Sequence, residues 1–385
     1  MLQIVLSLVL LYGSGLFIRT LRNLERTDVG YRRQNLLIAE TDPWAAGYKD
    51  RQIGPLAKSL AATLRSQPGV SSVGFSENGL FNGTESASAN SIEGFVARSA
   101  EDSQNRSDKV GPGYFSTAGI PILAGREIGG QDTANGPKVV VINEAMARFY
   151  FKNRQAIGRH IGDMDGSDPM TIVGVVGDAK QWDLREPAAR RFYTPYLQSR
   201  EDDPLRGLRF EIRVQGNSGG AMETAVRQAI HNTDPALREP SIKWAQTLIE
   251  DDLEQERVIA RLSGLFSILA LILASVGLYG VLSYLTERRT TEMGVRMALG
   301  ATRINVVGLI LREAFSMSAV GLVVGGACAF AVGKLTASSL YGVDAFDPLT
   351  VATAGAIICG SALLAGWFPA QRAARVDPIV ALRAD

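Results

Sequence analysis

The chain has 385 residues, and its 40 Lys and Arg balance 39 Asp and Glu to leave a formal net charge of +1, without the basic excess that a nucleic-acid partner requires. Its two cysteines, Cys328 and Cys359, both fall inside apolar runs and read as packing residues, so neither a disulfide nor a metal pair is expected from them. The mean hydropathy of +0.06 hides two solvents. A polar centre is long enough to bury its own core, as two lobes, while both ends carry uncharged apolar runs of the length that spans a bilayer as a helix.

The first run is Leu2 to Ile18. Arg19, Arg22 and Arg26 follow it, on a helix expected to continue through Thr20 to Arg26 and to end near Asp28 and Gly30. A signal peptide is the alternative, but the run has no charged start and no clear cleavage site, which favours an uncleaved anchor. Apolar residues three and four apart predict a helix over Ile53 to Leu64, stopped by Gln67, Pro68 and Gly69. A strand is expected at Val70 to Phe75, then a mobile loop over the Gly, Ser and Asn-rich residues Asn78 to Ser91. That loop includes the triplet Asn82-Gly83-Thr84, a glycosylation acceptor by pattern only.

A second lobe shows the plainest alternation. Lys138 to Ile142 is a β-branched run, Asn143 is suited to cap a helix, and Glu144 to Phe151 continues as that helix. GDMDGSDP, Gly162 to Pro169, has its Gly misplaced for a calcium loop and reads as a turn. Strands follow at Thr171 to Val176 and Phe210 to Val214, then a helix at Ala221 to His231. Strands and helices without a βαβ repeat indicate an α+β domain. His160 and His231 fit surface or capping roles, and no catalytic spacing stands out.

From about Trp244 an amphipathic helix is expected to enter the second apolar run, Leu262 to Leu285, without interruption. Unbroken from Gln246 to Leu285, it would measure roughly 60 Å. Two further runs, Ala314 to Gly333 and Leu349 to Pro369, make four membrane spans, with residues 286–313 as the loop between the second and third. That loop carries Arg288, Arg289, Arg296, Arg303 and Arg312, and the tail carries Arg372, Arg375 and Arg383, so both are expected on the cytoplasmic side. The central domain then lies outside, and Arg19, Arg22 and Arg26 violate the rule. Gly321 and Gly325 form a GxxxG pair, serving packing within the chain or contact with a second copy. No acidic or basic residue lies within a span, so a proton or ion relay lacks its usual parts. GACAFAVGKLT, around Lys334, fails as a phosphate loop because Cys328 and Leu335 replace the required residues. Thr291 to Leu299 reads as a short cytoplasmic helix closed by Gly300. It is either a solvated loop or a surface offered to a soluble motor.

The stretch RRTTEMGVRMALGATR resembles the cytoplasmic coupling segment of the FtsX and MacB class of ABC-transporter permeases, and AQRAARVDPIVALRAD resembles the end of that domain. VGPGYFSTAGIPILAGREI, VVVINEAMARFYF, IGRHIGD and TIVGVVGDAKQWDLREP are similar to the periplasmic core domain of the same family. LSLVLLYGSGLFIRTLRNLERTDVGY is similar to the opening of the second unit of duplicated permeases found in acidobacteria. No cytoplasmic helix precedes the first span, as expected of a chain derived from such a longer protein. The resemblance implies an α-helical membrane domain of four transmembrane helices with a large extracytoplasmic α+β domain between helices 1 and 2. By residues this divides into helix 1–18, core domain 19–245, stalk helix 246–261 and permease domain 262–385, the latter with spans 262–285, 314–333 and 349–369.

The resemblance further implies a multi-pass protein of the cell inner membrane that has no ATPase or cofactor of its own. ATP and Mg would belong to a separate ATP-binding subunit, contacted by Arg288, Arg289, Glu292, Arg296 and Met297, and its cycle would move the external domain by mechanotransmission. A second permease unit, membrane lipid and an envelope or outer-membrane protein are the other implied partners. A competing reading is a membrane-anchored module that recruits or activates an envelope partner such as a cell-wall hydrolase. An extracytoplasmic enzyme would need one anchor, not four.

Overall fold

A computed structural model describes residues 2–373 except 50–51, 82–84, 153–154, 200–202, 204, 217–218, 290–291, 294, 297–298, 300–301, 338–339 and 345. Met297, the triplet at 82–84, Gly300, Arg375 and Arg383 lie outside the described residues. The chain forms two compact units, residues 27–252 and residues 1–26 with 253–385.

The chain opens with α1 (Leu2–Arg26), which belongs to the membrane unit. The other unit begins with β1 (Leu36–Thr41), α2 (Ile53–Arg65), β2 (Val70–Ser76), β3 (Ser86–Ala89), β4 (Ser91–Ile92) and α3 (Ala100–Ser103). It continues through β5 (Gln104–Val110), α4 (Tyr114–Ala118), β6 (Ile122–Gly125), β7 (Val139–Asn143) and α5 (Glu144–Phe151). β8 (His160–Gly162), β9 (Met170–Val176), β10 (Arg191–Pro195), β11 (Leu208–Val214), α6 (Gly219–Thr233), β12 (Ser241–Trp244) and α7 (Ala245–Asp252) complete it.

The strands join one sheet in the order β12-β1-β11-β2-β5-β10-β7-β9-β8-β4, with β3 added to β5 and β6 to β9. Each half of the sheet packs a hydrophobic core of its own. In the first, Leu37, Val73, Phe75, Phe210 and Ile212 pack under Leu56, Leu60 and Leu64 of α2 and Met222, Val226 and Ile230 of α6. In the second, Val140, Ile142, Ile172, Val175 and Phe192 pack against Met146 and Tyr150 of α5. The halves meet where β2 pairs with β5, in register at Ser76↔Val110. Backbone bonds from Glu77 to Lys109 (2.9 Å) and from Gly111 to Phe75 (2.7 Å) extend that seam. Gly111 is required there, because a Cβ would stand 2.4 Å from the Phe75 ring.

Asn143 caps α5 as its position suggests: its side-chain oxygen accepts from the Met146 N–H at 3.0 Å. The same oxygen accepts from the Arg191 N–H at 2.9 Å, so the cap also locks β10 beside β7. Two expectations fail. The stretch from Asn78 to Ser91 is not simply a loop, since β3 pairs in register with β5 from Ser86↔Ser107 to Ala89↔Gln104. Small Ser and Ala side chains give no apolar alternation, and pairing to a neighbour supplies what local pattern does not.

The helix expected to run unbroken from Gln246, including the stalk at 246–261, is divided. α7 ends at Asp252, Leu253 takes φ −89 and ψ 0, and α8 (Glu254–Arg288) starts afresh. Acidic Glu250, Asp251 and Asp252 would oppose the dipole only mildly inside a long helix, but the break places Glu254 and Glu256 in a first turn, where negative charge is favoured.

The remaining helices are α9 (Arg303–Leu335) and α10 (Pro348–Ala373). With α1 and α8 they make four helices long and apolar enough to cross a membrane. At ~1.5 Å per residue, α8 and α9 reach about 50 Å, well past a hydrocarbon core of ~30 Å. α1 packs along α8 and α9, and α10 packs along α8, α9 and α1. The Ser7 hydroxyl donates to the Ala270 carbonyl at 2.9 Å and the Ser267 hydroxyl to the Leu10 carbonyl at 2.8 Å, tying α1 to α8 where no water competes. With Leu8, Tyr12, Leu16 and Leu24 buried, α1 is an integral member of the bundle.

Candidate functional site

The basic segment between α8 and α9 is built on two anchors. The Arg289 backbone N–H closes α8 by donating to Leu285 and Thr286, and its guanidinium reaches Glu313 Oε2 of α9 at 3.2 Å. Met293 is the apolar anchor, buried among Leu278, Leu282, Val306, Ile310, Ala314 and Ala370. Helical bonds run through this stretch, from the Met293 N–H to Arg289 and from the Leu299 N–H to Val295, each 3.0 Å.

Of the residues singled out from sequence, Arg288 stacks its guanidinium 5.5 Å from the Tyr284 ring centre. Arg296 pairs with Glu292 at 2.6 Å, one turn apart, and both are exposed. Next to these charges stand bare apolar side chains: Val295 is 40% exposed, Leu299 83% and Ile304 81%. A segment pinned from beneath by Met293 and Arg289, with arginines and branched apolar residues facing outward, has the composition of a protein-docking surface. Sequence reasoning found the arginines and missed Met293, Glu313 and the apolar residues. The helical spacing of Met293 from Leu282 and Ile310 in the folded bundle carries no local signature.

Gly321 and Gly325 face α1. A Cβ on Gly321 would stand 2.6 Å from Ile4 Cγ2, and one on Gly325 2.9 Å from Leu8 Cδ2 and 3.3 Å from the Val5 Cα. Of the two roles open to the GxxxG pair, the contact made here is packing within the chain. At the other end of α1, Arg19 pairs with Asp347, and Asn23 donates to the Gly342 carbonyl at 2.9 Å. Pairing neutralises one of the three arginines that follow the first apolar run.

The domain at 27–252 holds a polar cluster that its sequence does not announce. β5, QNRSDKV, sits mid-sheet although it is polar up to its last residue, Val110. Lys109 bridges Glu77 at 3.1 Å and Asp203 at 2.9 Å. Asp108 Oδ1 accepts from the backbone N–H groups of Asn78 (3.0 Å) and Lys109 (2.8 Å), but its Oδ2 is buried without a hydrogen-bond partner among the described residues. Burial raises its pKa to about 6, against those bonds and the charge of Arg191. Glu211 of β11 is fully buried and accepts from the Ser76 hydroxyl at 2.9 Å, with its second oxygen unpartnered among the described residues. Burial, reinforced by the charge of Asp108, pushes it up to about 8. His160 sits at the start of β8, its ring 2.8 Å from Glu93, in a surface role. Among the described residues no group of His, Cys, Asp and Glu is arranged to hold a metal ion.

Two family models cover this architecture: the MacB-like periplasmic core domain matches residues 1–232, and the FtsX-like permease C-terminal region matches residues 264–378. The chain belongs to the MacB-type permease family. This MacB-type chain is 27% identical over 281 residues to the macrolide export ATP-binding/permease protein MacB of Bradyrhizobium diazoefficiens, covering 70% of the chain and 42% of that protein. It is 26% identical over 336 residues to MacB 1/2 of Paracoccus denitrificans, covering 86% and 48%. A probable syringafactin export ATP-binding/permease protein of Pseudomonas syringae pv. tomato is 27% identical, covering 71% and 41%. The chain therefore spans less than half the length of these curated relatives. Among solved structures, the periplasmic region of MacB from Actinobacillus actinomycetemcomitans aligns with a TM-score of 0.42 at 16% identity, over 61% of this chain and 98% of that one.

Proposed function

We propose that this chain is the membrane-spanning permease part of an ABC transporter of the cell inner membrane, with residues 27–252 on the periplasmic side and the C-terminus cytoplasmic. The observation that carries the proposal is the segment between α8 and α9, which is anchored by Met293 and the Arg289–Glu313 pair yet turns Val295, Leu299, Glu292 and Arg296 outward. An ATP-binding subunit docks there, with Arg288, Arg289, Glu292, Arg296 and Met297 as the contact residues. ATP and Mg are held on that partner. The relatives' names join ATP binding and permease in one protein, and this chain matches less than half of each, which supports placing the nucleotide site outside residues 1–385.

Closure of the ATP-binding partner pushes on a segment fixed to α8 and α9, and both helices transmit the displacement because they are continuous from the docking surface through the bilayer. Mechanotransmission of this kind needs no polar path through the spans. It does require a second permease unit, so that paired ATP-binding subunits have two segments to move. The relatives are named for export of different compounds, and this chain serves export as a class, with an envelope or outer-membrane protein receiving the cargo.

The test is co-purification of the tagged protein in mild detergent with an ATP analogue present, followed by mass spectrometry, for the wild type and for the combined Arg288→Glu, Arg289→Glu, Arg296→Glu variant. An ATP-binding protein retained by the wild type and lost from the variant supports the proposal. Retention by both removes the assigned contact, and recovery of an envelope protein with no ATPase favours the anchored-module reading.

A further inference from the structure

The bundle has an outer groove that transport does not explain. It lies between α1 and α8, has a volume of about 530 Å³, and is lined by Ile18, Leu21 and Glu25 on α1 and by Arg257, Arg261, Gly264 and Ile268 on α8, among others. The spacing of these residues, three and four apart on each helix, puts them on one facing stripe. α1 and α8 run in opposite directions along it, so the charged residues gather at one end and the apolar residues at the other.

Three properties specify an occupant. The first is charge. Glu25 is taken up by Arg257 at 3.2 Å, which leaves Arg261 as the net charge of the lining. Arg261 is exposed and makes no ion pair or hydrogen bond among the described residues, and Arg22 and Arg26 are exposed near the same end of α1. The second is length. From Arg257 to Ile268 the groove runs ~16 Å along the helix axis, about half of a ~30 Å hydrocarbon core and so the depth of one leaflet. The third is room. A Cβ on Gly264 would find nothing nearer than the Ser14 Oγ at 3.7 Å, so the glycine leaves the floor of the groove open.

We propose that this groove is a binding site for an anionic membrane phospholipid, its acyl chain lying along Ile18, Leu21, Leu265 and Ile268 and its phosphate held by Arg261 beside Arg257. A phosphodiester accepts charge-assisted hydrogen bonds from the guanidinium that no protein carboxylate claims.

The experiment is native mass spectrometry of the full chain in detergent after delipidation, given equal amounts of dioleoylphosphatidylglycerol or dioleoylphosphatidylcholine, with glycerol 3-phosphate as a chain-free competitor. The wild type is expected to retain phosphatidylglycerol about fivefold better for each unpaired arginine engaged. Arg261→Gln should lower that preference about fivefold, while Arg261→Lys keeps it. Gly264→Leu, which fills the floor, should lower retention of both lipids, and glycerol 3-phosphate should displace neither. Equal retention of the two lipids by the wild type overturns the proposal, as does a preference unchanged in Arg261→Gln. Displacement by glycerol 3-phosphate also overturns it, since the site would then recognise a free anion. Tryptophan melting curves confirm that each variant is folded.

Discussion

Glu211→Gln is the most informative single change, because its effect has a sign opposite to that of most core substitutions. Glu211 is fully buried, and its carboxyl titrates at about 8 instead of its ordinary 4.5. The folded protein therefore keeps a proton that the unfolded chain has already released, so the stability this group contributes is fully present below pH 4.5, is lost as pH rises, and is gone above about 8. At 1.36 kcal/mol per pH unit, the span from 4.5 to 7 costs about 3 kcal/mol at neutral pH. Glutamine keeps an acceptor for the Ser76 hydroxyl and cannot ionise. The variant should be more stable than the wild type at pH 7 by an amount on the order of 3 kcal/mol, and the gap should close toward pH 5. Tryptophan fluorescence during denaturant unfolding reads this directly, since Trp44, Trp182 and Trp244 lie in the domain and Trp367 alone in the membrane unit. Parallel pH profiles for the two proteins, or a variant that is less stable from pH 6 to 9, would refute the reasoning.

Asp108, raised to about 6 from its ordinary 3.8, should leave a smaller decline in the Glu211→Gln variant confined to roughly pH 4 to 6, and Asp108→Asn should remove it in the same unfolding assay. Gly325→Leu forces a side chain against Leu8 and Val5 and should destabilise the bundle by about 1–3 kcal/mol; an unchanged melting temperature in detergent would show that α1 yields. Asn143→Ala removes a helix cap and the acceptor for the Arg191 N–H together, at a cost of about 2 kcal/mol, to be measured by denaturant unfolding. Ser7→Ala with Ser267→Ala should loosen α1 from α8 by about 1 kcal/mol, seen as a lower detergent-resistance midpoint.

The four spans were legible because a bilayer imposes length and apolarity on each helix independently of its neighbours. The cap at Asn143 and the helix after it were equally plain, since an N-cap acts within three residues. The segment between α8 and α9 was legible in part: arginines announce themselves, whereas the Met293 anchor exists only once α8, α9 and α10 converge. β3 and β5 were not legible. Their polar sequences become strands through pairing and through burial of Asp108 and Lys109, which local periodicity cannot express.

The sequence by itself determined which segments enter lipid, where the second lobe's strand and helix begin, and which charges lie between the spans, because each follows from interactions short in chain distance. The tertiary structure alone decided that Gly321 and Gly325 serve α1, that Arg19 meets Asp347, that the helix before the second span breaks at Leu253, and that Glu211 is buried beside Ser76. These are contacts between residues up to hundreds of positions apart. Their energies depend on burial and partner geometry that arise only when the chain has folded.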